Sequence, residues 1–145
     1  MGEALLARAI SALGDSSPLK RLKVESAGVW GEDGMGATRE AVEACAEVGV
    51  DLSSHVARTL NSEMLKRCFA LLAMTRAHLN SVKRMFPENE LPPIARTFNS
   101  FVPDAAGPDI QDPWGCGMQA YINARGEIMA AIPNIVKFLE KELSK

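Results

Sequence analysis

Two carboxylates stand three residues apart in the stretch DIQDPWG, Asp109 and Asp112 of a 145-residue chain. Paired carboxylates that approach one another raise each other's pKa, and a raised carboxyl is a proton donor for acid–base chemistry. An Asp before Pro also commonly opens a turn, and on the residues alone that is the stronger reading of Asp112. Asp109 reads as a loop cap. The thiols offer less: Cys45, Cys68 and Cys116 are odd in number, lack CxxC spacing and are accompanied by only two histidines, His55 and His78. That set suggests neither a disulfide frame nor a zinc site. Cys45 falls on an apolar helix face and Cys68 at an element junction, the places of packing residues. Trp30 and Trp114 are the two large rings able to clasp a planar or apolar group, a role that competes with plain core packing.

The rest of the composition bounds what those residues serve. With 47% hydrophobic and 23% charged residues the chain has material for one core, and it is expected to form one domain over 1–145. A net charge of −2 argues against a nucleic-acid partner, and Lys20, Arg21 and Lys23 read as a solvated face. Glu3 sits where a signal peptide needs a basic start, and no run approaches the ~20 apolar residues of a membrane span. A cytoplasmic protein with reduced thiols is expected.

The elements that must hold these residues alternate. MGEALLARAI opens an amphipathic helix with Leu6, Ile10 and Leu13 at helical spacing and no visible N-cap. LKVESAGV, 22–29, predicts a strand before the Gly-rich loop WGEDGMG. Thr38 caps a helix over 39–48 that Gly49 stops, and a short helix follows at 62–67. FALLAM, 69–74, is six apolar residues in a row and predicts an interior strand covered on both faces. Thr75 caps a helix to about Phe86, burying Leu79, Val82 and Met85. IARTF, 94–98, predicts a third strand. A long Pro- and Gly-bearing loop, 100–117, then leads to a helix striped by Ile128, Ile132, Ile135, Leu139 and Leu143, which Pro133 is expected to kink or divide near Ala131. The order predicts a parallel α/β layer fold, in which ligand sites lie at the carboxyl ends of strands.

MGEALL, VESAGV, GATREAVEACAEVGVDLSSHVAR, FALLAMTRAHL and DIQDPWG, in this order and spacing, resemble the low-molecular-weight protein tyrosine phosphatase family, which includes bacterial protein arginine phosphatases. The resemblance spans nearly the whole chain. It implies a three-layer, doubly wound parallel sheet and hydrolysis of phosphotyrosine or phosphoarginine through a phosphocysteine, with no metal or cofactor. The implied substrate is a phosphorylated protein or a small aryl phosphate.

Carried onto this sequence, the family's general acid falls on Asp112, its supports of the phosphate loop on Ser26 and His55, and its aromatic walls on Trp30 and Trp114. The family's phosphate loop, Cys then five residues then Arg, precedes the segment resembling MGEALL, and no cysteine here has an Arg at that spacing. Cys116, in WGCG, is followed by neither an Arg nor a helix N-terminus at phosphate-loop spacing. Nor do the cysteine spacings offer the redox pair of related arsenate reductases.

The expectation is therefore an N-terminally truncated phosphatase, its first interior strand missing between the LKVESAGV and FALLAM strands, inactive as written for want of the nucleophile. Unpaired edges and lost burial are expected to leave it marginal or aggregation-prone. The rival is a non-catalytic pseudophosphatase, a binding or regulatory module whose sheet a partner chain completes. The single Trp114, where many tyrosine phosphatases carry paired Tyr, leans toward the arginine-phosphatase side.

Overall fold

Leu5, Leu6 and Ile10 recur on one face of the first ten-residue helix, and burying that face is what seats it: α1 runs Gly2–Ser11 with all three side chains in the core. The computed structural model describes residues 1–29 and 33–145; Trp30 lies outside them. The remaining elements are α2 (Arg39–Ala46), α3 (Ser62–Lys66), β1 (Ala70–Ala73), α4 (Arg76–Met85), β2 (Ile94–Thr97) and α5 (Met118–Leu143), with 3-10 turns at Pro18–Arg21, Glu88–Glu90 and Phe98–Phe101.

Polar side chains set the starts of these helices. Thr38 Oγ1 accepts from Ala41 N at 3.2 Å, Asn61 Oδ1 from Met64 N at 3.0 Å and Thr75 Oγ1 from His78 N at 3.1 Å. Gly49 ends the α2 region with φ +78°, a conformation that Gly adopts without strain. α1 and α5 are the exceptions, with no side-chain cap at Met1 or Gly117.

α5 is the spine against which α1 and α2 pack. Its stripe of Ile128, Ile132, Ile135 and Leu139 is buried. The helix runs on through Pro133 rather than dividing near Ala131. Pro133 and Met129, the residue four back, both lie on the exposed side, so the missing backbone bond falls away from the core. Arg125 ties α5 to the end of α2, donating to Ala44 O at 2.8 Å and to the Glu47 carboxylate at 3.0 Å. At the end of β2 the Arg96 guanidinium lies 3.8 Å over the Phe101 ring, which meets Phe138 edge-on at 5.3 Å.

β1 and β2 pair in parallel, Ala70 opposite Ile94 through Ala73 opposite Thr97, with α4 as the crossover. Three sequence expectations fail around this sheet. LKVESAGV forms no strand: it makes one isolated parallel bridge, Gly28 to Thr59, because no ladder runs beside the rest of it. β1 is half-buried at all four positions instead of interior, since β2 is its single neighbour among the described residues. Met85 is 50% exposed; it ends α4 past the turn where Leu79 and Val82 reach the core.

The Gly-rich loop is stitched to the segment after His55. Gly34 N donates to Ala57 O at 2.9 Å and Ala57 N to Met35 O at 2.7 Å. Asp33 Oδ1 accepts from both Thr59 N at 2.6 Å and Thr59 Oγ1 at 2.9 Å.

Candidate active site

Asp112 lies on the loop that runs from the end of β2 to the start of α5, and short bonds fix that loop at the carboxyl end of β1. Ile110 is 2% exposed and its N–H donates to Met74 O, one residue past β1, at 2.8 Å. Asp109 Oδ1 accepts from Arg76 N at 2.8 Å, so the residue read as a cap of its own loop reaches the first residue of α4, 33 positions earlier in the chain. Asn99 Nδ2 donates to Gly107 O at 3.1 Å and to Asp109 O at 3.4 Å. Two residues beyond the Ile110 anchor, Asp112 is exposed, and its Oδ1 accepts from Trp114 N at 3.1 Å. That bond closes an Asx turn, and a further turn follows, Cys116 N to Pro113 O at 2.9 Å. Asp112 thus opens a turn as an Asp before Pro commonly does, and the same turn holds its carboxyl at the strand end where open α/β sheets carry their ligands. Asp109 points its carboxyl at α4, so the two acids have different tasks.

The start of α1 reaches the same strand end. A Cβ on Gly2 would stand 2.6 Å from Met74 Cε, so the helix start sits directly against Met74. An uncapped start of a ten-residue helix offers free N–H groups and a partial positive charge, the features that hold an anion. Burial pushes the pKa of the Met1 ammonium down, opposed by Cys45 and Glu3.

Glu3, in the first turn of α1, brings His55 to this place: His55 Nδ1 lies 3.3 Å from Glu3 Oε2, and Arg58 3.8 Å from Glu3 Oε1. Arg58 is also 3.9 Å from Glu25, which Arg67 meets at 3.0 Å and Lys23 at 3.4 Å. The Arg67 bond foremost holds the Glu25 carboxyl below the usual carboxylate range. This chain of alternating charges ties α1, the 22–27 segment and the 51–58 loop together. Ser26 is half-buried in that segment, next to Glu25. A cleft of about 330 Å³ opens beside Glu3, Asp51, His55 and Arg58.

Of the expected site residues, His55 lies at the start of α1, where it meets Glu3, a residue the sequence reading did not place in the site, and Asp112 and Trp114 share one turn. A second cavity, of about 320 Å³, lies beside Trp114 between the starts of α2 and α5, with Glu40 on its wall. Sequence reasoning missed Glu40, Asp33 and the Glu25 network. Asp33 is an Asp in a Gly-rich loop, a weak signal for a loop clamp; Glu25 and Arg67 are 42 residues apart, and no spacing announces them.

None of the thiols sits as a phosphate-loop nucleophile. Cys45 is fully buried, and burial pushes its thiol up; burial does the same to Cys68. Cys116 is exposed on the acid loop, its Sγ 3.6 Å from Trp114 O.

Comparison with known proteins shows the family and the fold. The family model for low molecular weight phosphotyrosine protein phosphatase matches residues 1–145. The chain is 30% identical to a protein-arginine-phosphatase of Geobacillus stearothermophilus over 132 residues, 91% of this chain and 86% of the relative. Among solved structures it resembles the low molecular weight protein tyrosine phosphatase from T. tengcongensis, with TM-score 0.81 and 30% identity over 94% of this chain and 88% of that one. It also resembles the YwlE arginine phosphatase, solved as a Cys-to-Ser mutant with a phosphorylated active site serine, with TM-score 0.79 and 28% identity over 97% and 86%.

Proposed function

The chain belongs to the low molecular weight phosphotyrosine protein phosphatase family, and from that premise we propose that it is the body of a protein phosphatase for phosphotyrosine or phosphoarginine in which Asp112 is the general acid. In the proposed reaction a cysteine thiolate attacks phosphorus, forming the S–P bond as the O–P or N–P bond to the substrate breaks. Asp112 gives its proton to the leaving atom, then takes one from the water that attacks phosphorus and releases the thiolate. The phosphorylated active site serine of the YwlE mutant supports a covalent route of this kind. His55 and Ser26 are supports of the phosphate loop, and Trp114 is a wall for the substrate.

What carries the proposal is the anchoring of the Asp112 turn at the carboxyl end of β1, where the uncapped start of α1 also arrives. The 145 residues contain no Cys followed at the sixth place by Arg, so the chain by itself is proposed not to form the phosphocysteine. An aryl phosphate such as 4-nitrophenyl phosphate tests both parts. The chain alone should give no turnover that Asp112→Asn removes. The chain extended at its N-terminus by a strand and a Cys-x5-Arg loop should turn over, and Asp112→Asn should then lower kcat by roughly 10²–10⁴. Indifference of the extended chain to Asp112→Asn would sink the acid assignment.

A second reading, a non-catalytic binding or regulatory module, draws on the edge of β1 that has no strand beside it among the described residues and that a partner's strand fits. Failure of every extended chain to turn over, together with a partner that protects β1 from hydrogen exchange, favours it.

A further inference from the structure

Trp114 is a substrate wall in the reaction proposed above, but the rest of the cavity it lines has no part in that reaction. The cavity holds about 320 Å³ and is lined by Thr38, Glu40, Trp114, Gly115, Gly117 and Tyr121. Trp114 is 71% exposed, and the backbone keeps it so. Its N–H is taken by Asp112 Oδ1, Cys116 N closes the next turn on Pro113 O, and Gly115 and Gly117 take φ +76° and +88°, which a side-chain-bearing residue rarely adopts. The ring is therefore displayed by a built turn rather than left over from packing.

Glu40 is the only charged side chain lining the cavity among the described residues. Its nearest cation, Arg39, lies 3.9 Å away, is 82% exposed and is shared with Glu43 at 3.8 Å, a contact readily exchanged. Thr38 Oγ1 is already occupied by Ala41 N. The starts of α2 and α5 each bring about half a positive charge, and the full charge of Glu40 offsets their pull on an anion. A guanidinium or ammonium still meets a carboxylate and an indole lining one cleft, side-chain types that together hold a cation. Guanidinium fits better, since it stacks flat on the ring.

We propose that this cavity is a subsite for a basic side chain, arginine above lysine, flanking the phosphorylated residue of a protein substrate and held between Trp114 and Glu40. The substrate part rests on the phosphatase reading; the site for a basic side chain does not. Trp114 is two residues beyond Asp112, at most about 7 Å along the chain, so the side chain bound here belongs to a near neighbour of the residue that reacts.

The test is a titration of the chain with acetyl-Arg-Ala-Arg-amide, acetyl-Glu-Ala-Glu-amide and acetyl-Ala-Ala-Ala-amide, following the indole N–H resonance that Trp114→Phe removes. The arginine peptide should shift it saturably and the alanine peptide should not. Glu40→Gln should weaken the arginine peptide roughly three- to tenfold, as should Trp114→Leu read on the Gly115 and Gly117 amides. An equal or larger shift with the glutamate peptide, or an affinity indifferent to Glu40→Gln, overturns the site. Binding is read without turnover, so the phosphatase reading stands or falls separately on the extended chain. If that chain turns over and does not prefer phosphopeptides with an adjacent arginine, the substrate part is overturned while the site survives.

Discussion

Asp109→Ala is the perturbation that most directly tests how the acid is held. Its Oδ1 accepts from Arg76 N at 2.8 Å, and the first turn of α4 has no acidic residue of its own. The substitution therefore removes a capping bond, worth about 1 kcal/mol, and an anion at a helix start, worth about 0.3–1 kcal/mol, for a total near 1.5–2 kcal/mol. Asp109→Asn keeps an oxygen acceptor and loses only the charge, so it should cost about 0.5 kcal/mol. Urea unfolding at pH 7 reads both, with an unchanged slope showing that stability alone has moved. Asp112 is three residues along the same loop, so in the N-terminally extended chain Asp109→Ala should also lower kcat more than it changes KM. Equal costs for Ala and Asn, or no cost for either, would show that the short bond to Arg76 does not anchor the loop.

Three further outcomes follow from the contacts. The Glu25 pKa is depressed chiefly by Arg67, so the folded chain binds that proton less readily than the unfolded chain. The contribution of Glu25 is then complete above its ordinary value of 4.5 and is lost as pH falls through the lower folded value. The stability gap between wild type and Glu25→Gln, from urea melts across pH 3–7, should shrink toward acid, and a gap that widens there contradicts the network. With a thiol reagent at mild alkaline pH, exposed Cys116 should react first, half-buried Cys68 more slowly, and Cys45, with 0% exposure and a thiol pushed up by burial, only on unfolding. Mass spectrometry of the labelled peptides gives the order, and early labelling of Cys45 would refute the packing of α2 on α5. Arg125→Ala strips the donor from Ala44 O, in a residue with 0% exposure, and should cost about 1–3 kcal/mol in urea melts, with Arg125→Lys recovering part.

The helices were legible because their signals are local. Thr38 and Thr75 stand where they cap, Gly49 stops α2, and the Ile stripe of α5 is buried as its period requires. The FALLAM and IARTF segments were legible as strands, but their surroundings were not. An apolar run such as ALLA reads as interior, yet whether both edges are paired depends on which other strand lies beside it. LKVESAGV has strand composition and no ladder for the same reason. In the site, Asp112 as a turn residue followed from type and position, while the Asp109 bond to the start of α4 spans 33 residues and did not. Nor did Glu40, because it lies 74 residues from Trp114 in the chain and joins it only where the starts of α2 and α5 meet. Long-range ion pairs such as Glu25 with Arg67 leave no periodic trace at all.

Met74 connects the two halves of this site. Its backbone oxygen holds the acid loop through Ile110 N, while its side chain seats against the start of α1 at Gly2. The other bonds that fix the acid loop come from Asn99 and the start of α4, and the other bonds at the α1 start come from His55 and Arg58. The proposed acid is therefore positioned by the β1–α4–β2 unit, and the start of α1 by its contacts with the 51–58 loop. A general acid must stand ready at a fixed distance from a phosphoryl group that comes and goes. Built on its own strand end, with Met74 shared between its loop and the start of α1, the proposed acid Asp112 is held by bonds separate from those of His55 and Arg58.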